Sequence, residues 1–286
     1  MKFSTVSPCK LNLFLYITGK RPDGYHNLQT LFVILDHGDI MHFETTDDDR
    51  VELLTDFGFP VEKNLIYKAA MLLKEQTLCK KGVKISIDKV LPQGGGLGGG
   101  SGNAATTLMV LNRLWDLNLK EDSLLKMGTS LGADVPIFIK GKTCFAEGIG
   151  EILEEKSYPE KYYLVATPEC KVPTAKLFGS EALKKDSKVK TFEELVNAPF
   201  ENCFTPVVVK EYPEVQTLLD KLSEFGPSFM SGSGSSCFVA FDSIEAAKKA
   251  QAKIEKLKIS SFVARSVKVS NVIEDLNKHS SSVDLR

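Results

Sequence analysis

The chain has 286 residues, 43% hydrophobic and 26% charged, a balance that suits a folded protein of two domains and excludes both a disordered chain and a bilayer protein. Lys plus Arg number 36 against 37 for Asp plus Glu, so no net positive field exists to hold a nucleic-acid backbone or an anionic membrane surface. The longest apolar stretches, such as 31–35 and 135–139, are far short of the roughly 20 residues that cross a bilayer.

Along the chain, residues 3–17 and 28–35 are rich in Leu, Phe, Val and Ile. They flank the polar segment Gly19-Lys20-Arg21-Pro22-Asp23-Gly24-Tyr25-His26, which predicts two strands joined by an exposed loop. Residues 40–54 predict a further strand pair around Thr46-Asp47-Asp48-Asp49-Arg50, its aspartates forming a turn rather than a metal site. Asn64 can cap a helix with Leu65, Ala69, Leu72 and Leu73 on one face, and Val83, Ile85 and Ile87 alternate as in a half-buried strand. The run Pro92-Gln93-Gly94-Gly95-Gly96-Leu97-Gly98-Gly99-Gly100-Ser101-Gly102-Asn103 follows. Ala104, Leu108, Leu111 and Trp115 then recur at helical spacing, so the glycines join a strand to the start of a helix.

A second helix over 121–131 is expected to stop at Gly132 in a left-handed cap, and Pro136 is expected to hold Val135 extended. Composition becomes more charged between Glu151 and Glu160, and the domain boundary is set there, giving domains 1–153 and 154–286. The later half alternates predicted strands at 162–166, 236–241 and 262–269 with helices. Thr191-Phe192-Glu193-Glu194 reads as a capping box, and 213–225 as a helix with Pro near its start. The Lys-rich stretch 246–258 keeps Ile244, Ala247, Ile254 and Leu257 on one face. His279 to Ser282 is expected to fray.

The glycine run carries the chemistry. Glycines between a strand and a helix free backbone N–H groups to converge on one point, and the helix start adds partial positive charge, which predicts a phosphate cradle. Gly94, Gly96 and Gly99 satisfy G-x-G-x-x-G, but no second strand with an acidic end follows as a dinucleotide fold requires. No lysine follows the glycines, so the P-loop pattern fails as well. The six cysteines contain no C-x-x-C and the four histidines no helical pair, so reduced thiols, a cytoplasmic setting and no protein-built metal site are expected.

Three segments, the glycine run, Pro8-Cys9-Lys10-Leu11-Asn12-Leu13 and Ser231-Gly232-Ser233-Gly234-Ser235-Ser236-Cys237, together resemble the GHMP kinases (galactose, homoserine, mevalonate and phosphomevalonate kinases). Arg21-Pro22-Asp23-Gly24-Tyr25-His26 and Gly132-Ala133-Asp134-Val135-Pro136 are similar to the branch acting on 4-diphosphocytidyl-2-C-methylerythritol. The resemblance implies an α/β (α+β) two-domain fold with the active site in the cleft between domains, and transfer of the ATP γ-phosphate to the substrate's 2-hydroxyl. It gives Asp134 the role of general base and Lys10 that of its cationic partner.

By the same resemblance, residues 92–103 bind ATP, with Asn64 and Lys89 near the nucleotide, and Gly232, Ser233 and Gly234 form the third glycine-rich motif. Asn12 meets the methylerythritol unit, Tyr25 and His26 the cytosine, and Thr174 and Phe178 belong to a second pyrimidine wall. Mg²⁺ is expected with the nucleotide, without an assigned protein ligand. Gly102 stands where many relatives have serine, and Cys9 where alanine is common. Another GHMP kinase, of the mevalonate or homoserine type, or a silent nucleotide-binding regulator are the alternatives. Tyr25, His26 and Phe178 argue against the first, and the presence of both Lys10 and Asp134 against the second.

Overall fold

A computed structural model describes residues 1–283. Its elements in chain order are β1 (Lys2–Lys20), β2 (His26–Thr46), β3 (Val51–Leu53), α1 (Leu65–Thr77), β4 (Gly82–Asp88), α2 (Gly99–Leu114), α3 (Glu121–Leu131), α4 (Val135–Lys140), β5 (Cys144–Glu147), β6 (Ile152–Glu155) and β7 (Tyr162–Thr167). There follow α5 (Thr174–Phe178), α6 (Phe192–Val196), α7 (Thr205–Glu211), α8 (Pro213–Ser223), β8 (Ser228–Met230), β9 (Cys237–Phe241), α9 (Ile244–Glu255), β10 (Ser260–Arg265) and α10 (Asn271–Val283).

Two sheets form. The six-stranded one runs β3-β4-β2-β5-β6, with β1 also paired to β2; the four-stranded one runs β10-β7-β9-β8. All neighbours are antiparallel except β3 with β4.

The near-continuous apolar sequence of β1 and β2 follows from burial on both faces, since a strand with no solvated side has no reason to alternate. Phe32, Ile34, Met41 and Phe43 meet Ile66, Leu73, Leu108, Leu111 and Phe138 of the helices on one side. Leu11, Leu13, Leu31, Val33 and Leu35 point the other way, against Tyr163, Val165, Phe238 and Ala264 of the second sheet. Beyond that sheet a third cluster joins Leu164 and Val239 to Val208, Leu218, Leu222 and Ile254. The layers are therefore helices, sheet, sheet, helices. Each fully buried Leu or Phe contributes about 1.5–3 kcal/mol. Trp115 closes the first cluster, and its indole N–H donates to the Gly82 carbonyl at 3.3 Å.

Several local expectations need correction. β2 runs unbroken to Thr46, and β3 pairs with β4 instead of returning along β2. Asp48 makes that turn by accepting from Thr46 Oγ1 at 2.7 Å and from the Arg50 backbone at 3.2 Å. Gly132 is extended (φ 169°, ψ 153°) rather than left-handed. Val135 begins α4, because Pro136 falls in that helix's first turn, where its missing N–H has no partner to lose. The last strand ends at Arg265, and α10 continues through Val283, so the stretch expected to fray is helical. The Thr191 capping box is present with both of its bonds.

Candidate active site

β4 ends at Asp88 and α2 begins at Gly99, so the glycine run spans the turn from strand to helix. Gly94, Gly96 and Gly98 sit at φ 74°, 74° and 73°, a left-handed conformation that glycine adopts at no steric cost. The loop is pinned from behind by its carbonyl oxygens. Ser236 N donates to Gly95 O at 3.1 Å, Ser231 Oγ to Gly96 O at 3.0 Å and Lys10 N to Leu97 O at 3.0 Å. At Gly96 a Cβ would collide with the Ser231 carbonyl, so the third glycine-rich segment, 231–236, packs directly on the first.

Two cavities meet at this loop. One of 350 Å³ is lined by Asn64, Lys89, every residue from Pro92 to Ser101, and Asn103, together with Phe57 and Phe59. The other, of 370 Å³, is lined by Lys10, Asn12, Asp134, Thr174, Phe178, Gly232 and Ser233 among others. Gly94, Gly96, Gly98 and Ser101 line both. Gly102 lines neither: it faces Pro8, whose carbonyl oxygen would lie 2.7 Å from an added Cβ.

Lys10 is only 2% exposed. Its ammonium donates to Asn12 Oδ1 at 2.6 Å and to Gly96 O at 3.0 Å, and lies 3.5 Å from Asp134 Oδ2. A buried ammonium needs such an array, because desolvating its N–H groups without acceptors is costly. The chain of bonds extends inward: Asn12 Nδ2 donates to Thr30 Oγ1 at 2.9 Å, which donates to Phe14 O at 2.6 Å. This fixes which face of the Asn12 amide meets the lysine. Asp134 sits just before α4, and its side chain remains 38% exposed, open to the cavity.

At the far end, the His26 ring stacks on Phe178 (centroids 5.1 Å, 22°), and Phe178 meets Phe204 edge-on at 5.1 Å. Burial, with Lys185 and Lys20 adding to it, holds the His26 imidazole below its ordinary pKa. Thr174 Oγ1 and Ser233 Oγ share a 2.6 Å hydrogen bond across the cavity mouth. Neither His26 nor Tyr25 lines either cavity: His26 sits behind Phe178, and Tyr25 is 59% exposed on the tight turn closed by Arg21 N donating to Tyr25 O at 2.8 Å. Gly234 also lies outside, against the Met230 sulfur.

Sequence reasoning passed over several residues that build this site. Asp39 is fully buried behind the loop. Its signal was a carboxylate, three residues after Asp36, near the middle of a largely apolar strand. Asn202 Nδ2 donates to Met230 O at 2.8 Å and Gly232 O at 2.7 Å, and Phe57 and Phe59 wall the first cavity. Nothing in their spacing marks these three.

Comparison with known proteins agrees with the geometry. The family descriptions "GHMP kinases N terminal domain" and "GHMP kinases C terminal" match residues 64–142 and 180–259. The chain is 44% identical over 280 residues, 96% of its length and 92% of the relative's, to the 4-diphosphocytidyl-2-C-methyl-D-erythritol kinase of Mannheimia succiniciproducens. The chain belongs to the GHMP kinases. A GHMP kinase uses ATP, and the fold matches accordingly. The protein of the same name from Tolumonas auensis is 46% identical over 260 residues, 91% of each chain. A crystal structure of 4-(cytidine 5'-diphospho)-2C-methyl-D-erythritol kinase superposes with a TM-score of 0.81 at 29% identity, covering 92% of this chain and 98% of that one. Among the described residues of this GHMP kinase, no helix is long and apolar enough to cross a membrane.

Proposed function

We propose that the protein transfers the γ-phosphate of ATP to the 2-hydroxyl of 4-diphosphocytidyl-2-C-methyl-D-erythritol, in the non-mevalonate route to isoprenoid precursors. The observation that carries this reading is the Lys10–Asp134 pair, 3.5 Å apart, in a cavity that shares a glycine wall with a second cavity and ends in an aromatic face. The relatives' names supply the substrate.

In this reading residues 92–101 and Asn103 hold the nucleotide, with Asn64 and Lys89 at its side and Phe57 and Phe59 beside its base. Phosphoryl transfer relies chiefly on positioning and electrostatic stabilisation, and a backbone cradle at the start of α2 supplies both. Asp134 accepts the hydroxyl proton as the oxygen bonds to the γ-phosphorus and the bond to the β-phosphate oxygen breaks, releasing ADP. Lys10 pairs with the carboxylate and stands near the charge that develops. Asn12 orients the hydroxyl-bearing unit, Phe178 and His26 take the cytosine, and Thr174, Gly232 and Ser233 close the cavity between them.

Among the described residues no three His, Cys, Asp or Glu side chains cluster as a metal cage. Mg²⁺ would arrive with the nucleotide, where it would offset phosphate charge. The two domains are taken as residues 1–153 and 154–286, with α10 returning to pack Val272 into the first helical cluster. A cytoplasmic setting suits six cysteines that are all unpaired.

The test is ADP release from ATP and Mg²⁺ with the cytidyl ester, beside mevalonate, homoserine and galactose. Turnover with the ester alone is expected; turnover with another acceptor would keep the catalytic pair and replace the substrate.

A further inference from the structure

Asp39 lies in β2 and is 0% exposed. A buried carboxylate is costly unless every lone pair finds a donor, and here each oxygen has two. Oδ1 accepts from the backbone N–H of Val90 and of Leu91, both at 2.9 Å. Oδ2 accepts from Lys89 Nζ at 2.5 Å and from Asn103 Nδ2 at 2.9 Å.

These donors come from both flanks of the glycine run: Lys89 to Leu91 lead into it from β4, and Asn103 belongs to the first turns of α2 beyond it. The Asn103 Oδ1 is buried with no hydrogen-bond partner, so its amide is oriented by Asp39. Two of the donors, Lys89 and Asn103, also line the nucleotide cavity, and the lysine side chain stays 28% exposed. A lysine ammonium has three N–H groups, and Asp39 takes one while fixing where the others point.

We propose that Asp39 is a positioning residue for the nucleotide: its carboxylate ties the entry to the glycine loop, Asn103 and Lys89 to one point, so that loop and ammonium meet ATP already oriented. The inference rests on the reading of the first cavity as the ATP site. It also explains why a fully buried charge is kept beside a loop whose own residues carry none. Ordering a flexible glycine loop on binding would cost affinity, and a loop ordered beforehand avoids that cost.

Asp39→Asn in the full chain separates this role from a purely structural one. Whichever way the new amide turns, its NH₂ faces two donors, so one pair of bonds is lost and replaced by repulsion. The expected result is a rise of about tenfold in KM for ATP, the scale of one charge-assisted hydrogen bond, exceeding any fall in kcat at saturating ATP. KM for the cytidyl ester should stay within about twofold, because no Asp39 contact reaches the second cavity. A folded variant whose KM for ATP is unchanged, or whose two KM values rise together, would overturn the inference.

Should Asp39→Asn not accumulate as folded protein, Asp39→Glu keeps the charge but sets it one methylene further along, so the four ties cannot all be kept. A selective rise of about threefold in KM for ATP is then expected, and no rise would overturn it. Turnover of ATP by the unmodified protein tests the reading of the cavity; the difference between it and the variant tests Asp39 alone.

Discussion

Lys10 Nζ and Asp134 Oδ2 lie 3.5 Å apart, the lysine side chain 3% exposed and the carboxylate 38%. One partner is locked into the interior by Asn12 and Gly96, while the other stays open to whatever fills the cavity. A base that must take a proton from a bound hydroxyl needs that access. Asp134→Asn is therefore expected to lower kcat by about 10²–10⁴-fold, the usual worth of a positioned general base, while KM for ATP changes little. Steady-state kinetics checks this, and near-normal turnover would remove Asp134 from the role.

The aromatic end predicts an unequal pair of effects. Phe178→Ala removes the face that lines the acceptor cavity; with base stacking worth about 1–3 kcal/mol, KM for the cytidyl ester should rise by about 5–150-fold. Tyr25 is exposed and outside that cavity, so Tyr25→Ala should shift it by no more than about twofold, as for an ordinary surface change. Equal effects would mean that Tyr25 reaches the ligand after all.

Gly102 offers a test of packing. An added Cβ would lie 2.7 Å from the Pro8 carbonyl and 3.4 Å from Ser7 Oγ, so α2 sits closer to β1 than a side chain allows. Gly102→Ser should cost about 1–3 kcal/mol of stability, typical of an overpacked interior, read as a lower urea midpoint. An unchanged midpoint would show that the helix can step back without loss.

The thiols respond to pH in a defined order. Burial pushes Cys144 and Cys203 up to about 12 and drives Cys9 and Cys237 higher still. The thiolate is the reactive form, so at pH 8 these four should be silent towards Ellman's reagent in the native protein. The folded chain should release at most two equivalents of thionitrobenzoate quickly, from Cys79 and Cys170, because Cys203, though also partly exposed, is held back by its raised pKa; six should be released after unfolding in guanidinium. More than two fast thiols in the folded state would contradict the raised pKa values of the other four.

Much of this was readable in the sequence, for reasons particular residues make plain. The strand before the glycine run and the helix after it are marked by Val83, Ile85, Ile87 and then Ala104, Leu108, Leu111, because their periods differ. Lys10 and Asp134 came instead from resemblance: a buried lysine in an apolar strand and an aspartate before a proline carry no periodic signal of their own. Asp39 was missed because the worth of a buried charge lies in its partners, and these arrive from residues 89–91 and 103 only once the chain has folded. The parallel pairing of β3 was missed because three residues are too few to specify a neighbour.

The glycine run has one cavity on each side of it, with Gly94, Gly96, Gly98 and Ser101 common to both. It acts as a party wall, and neither tenant can move it unnoticed by the other. Any shift of that backbone by the nucleotide alters the affinity for the acceptor, and linkage requires the reverse effect to be equal. Substitutions of these four shared residues should therefore change the affinity for both substrates, whereas Asp39 acts through Lys89 and Asn103, which line the first cavity and not the second.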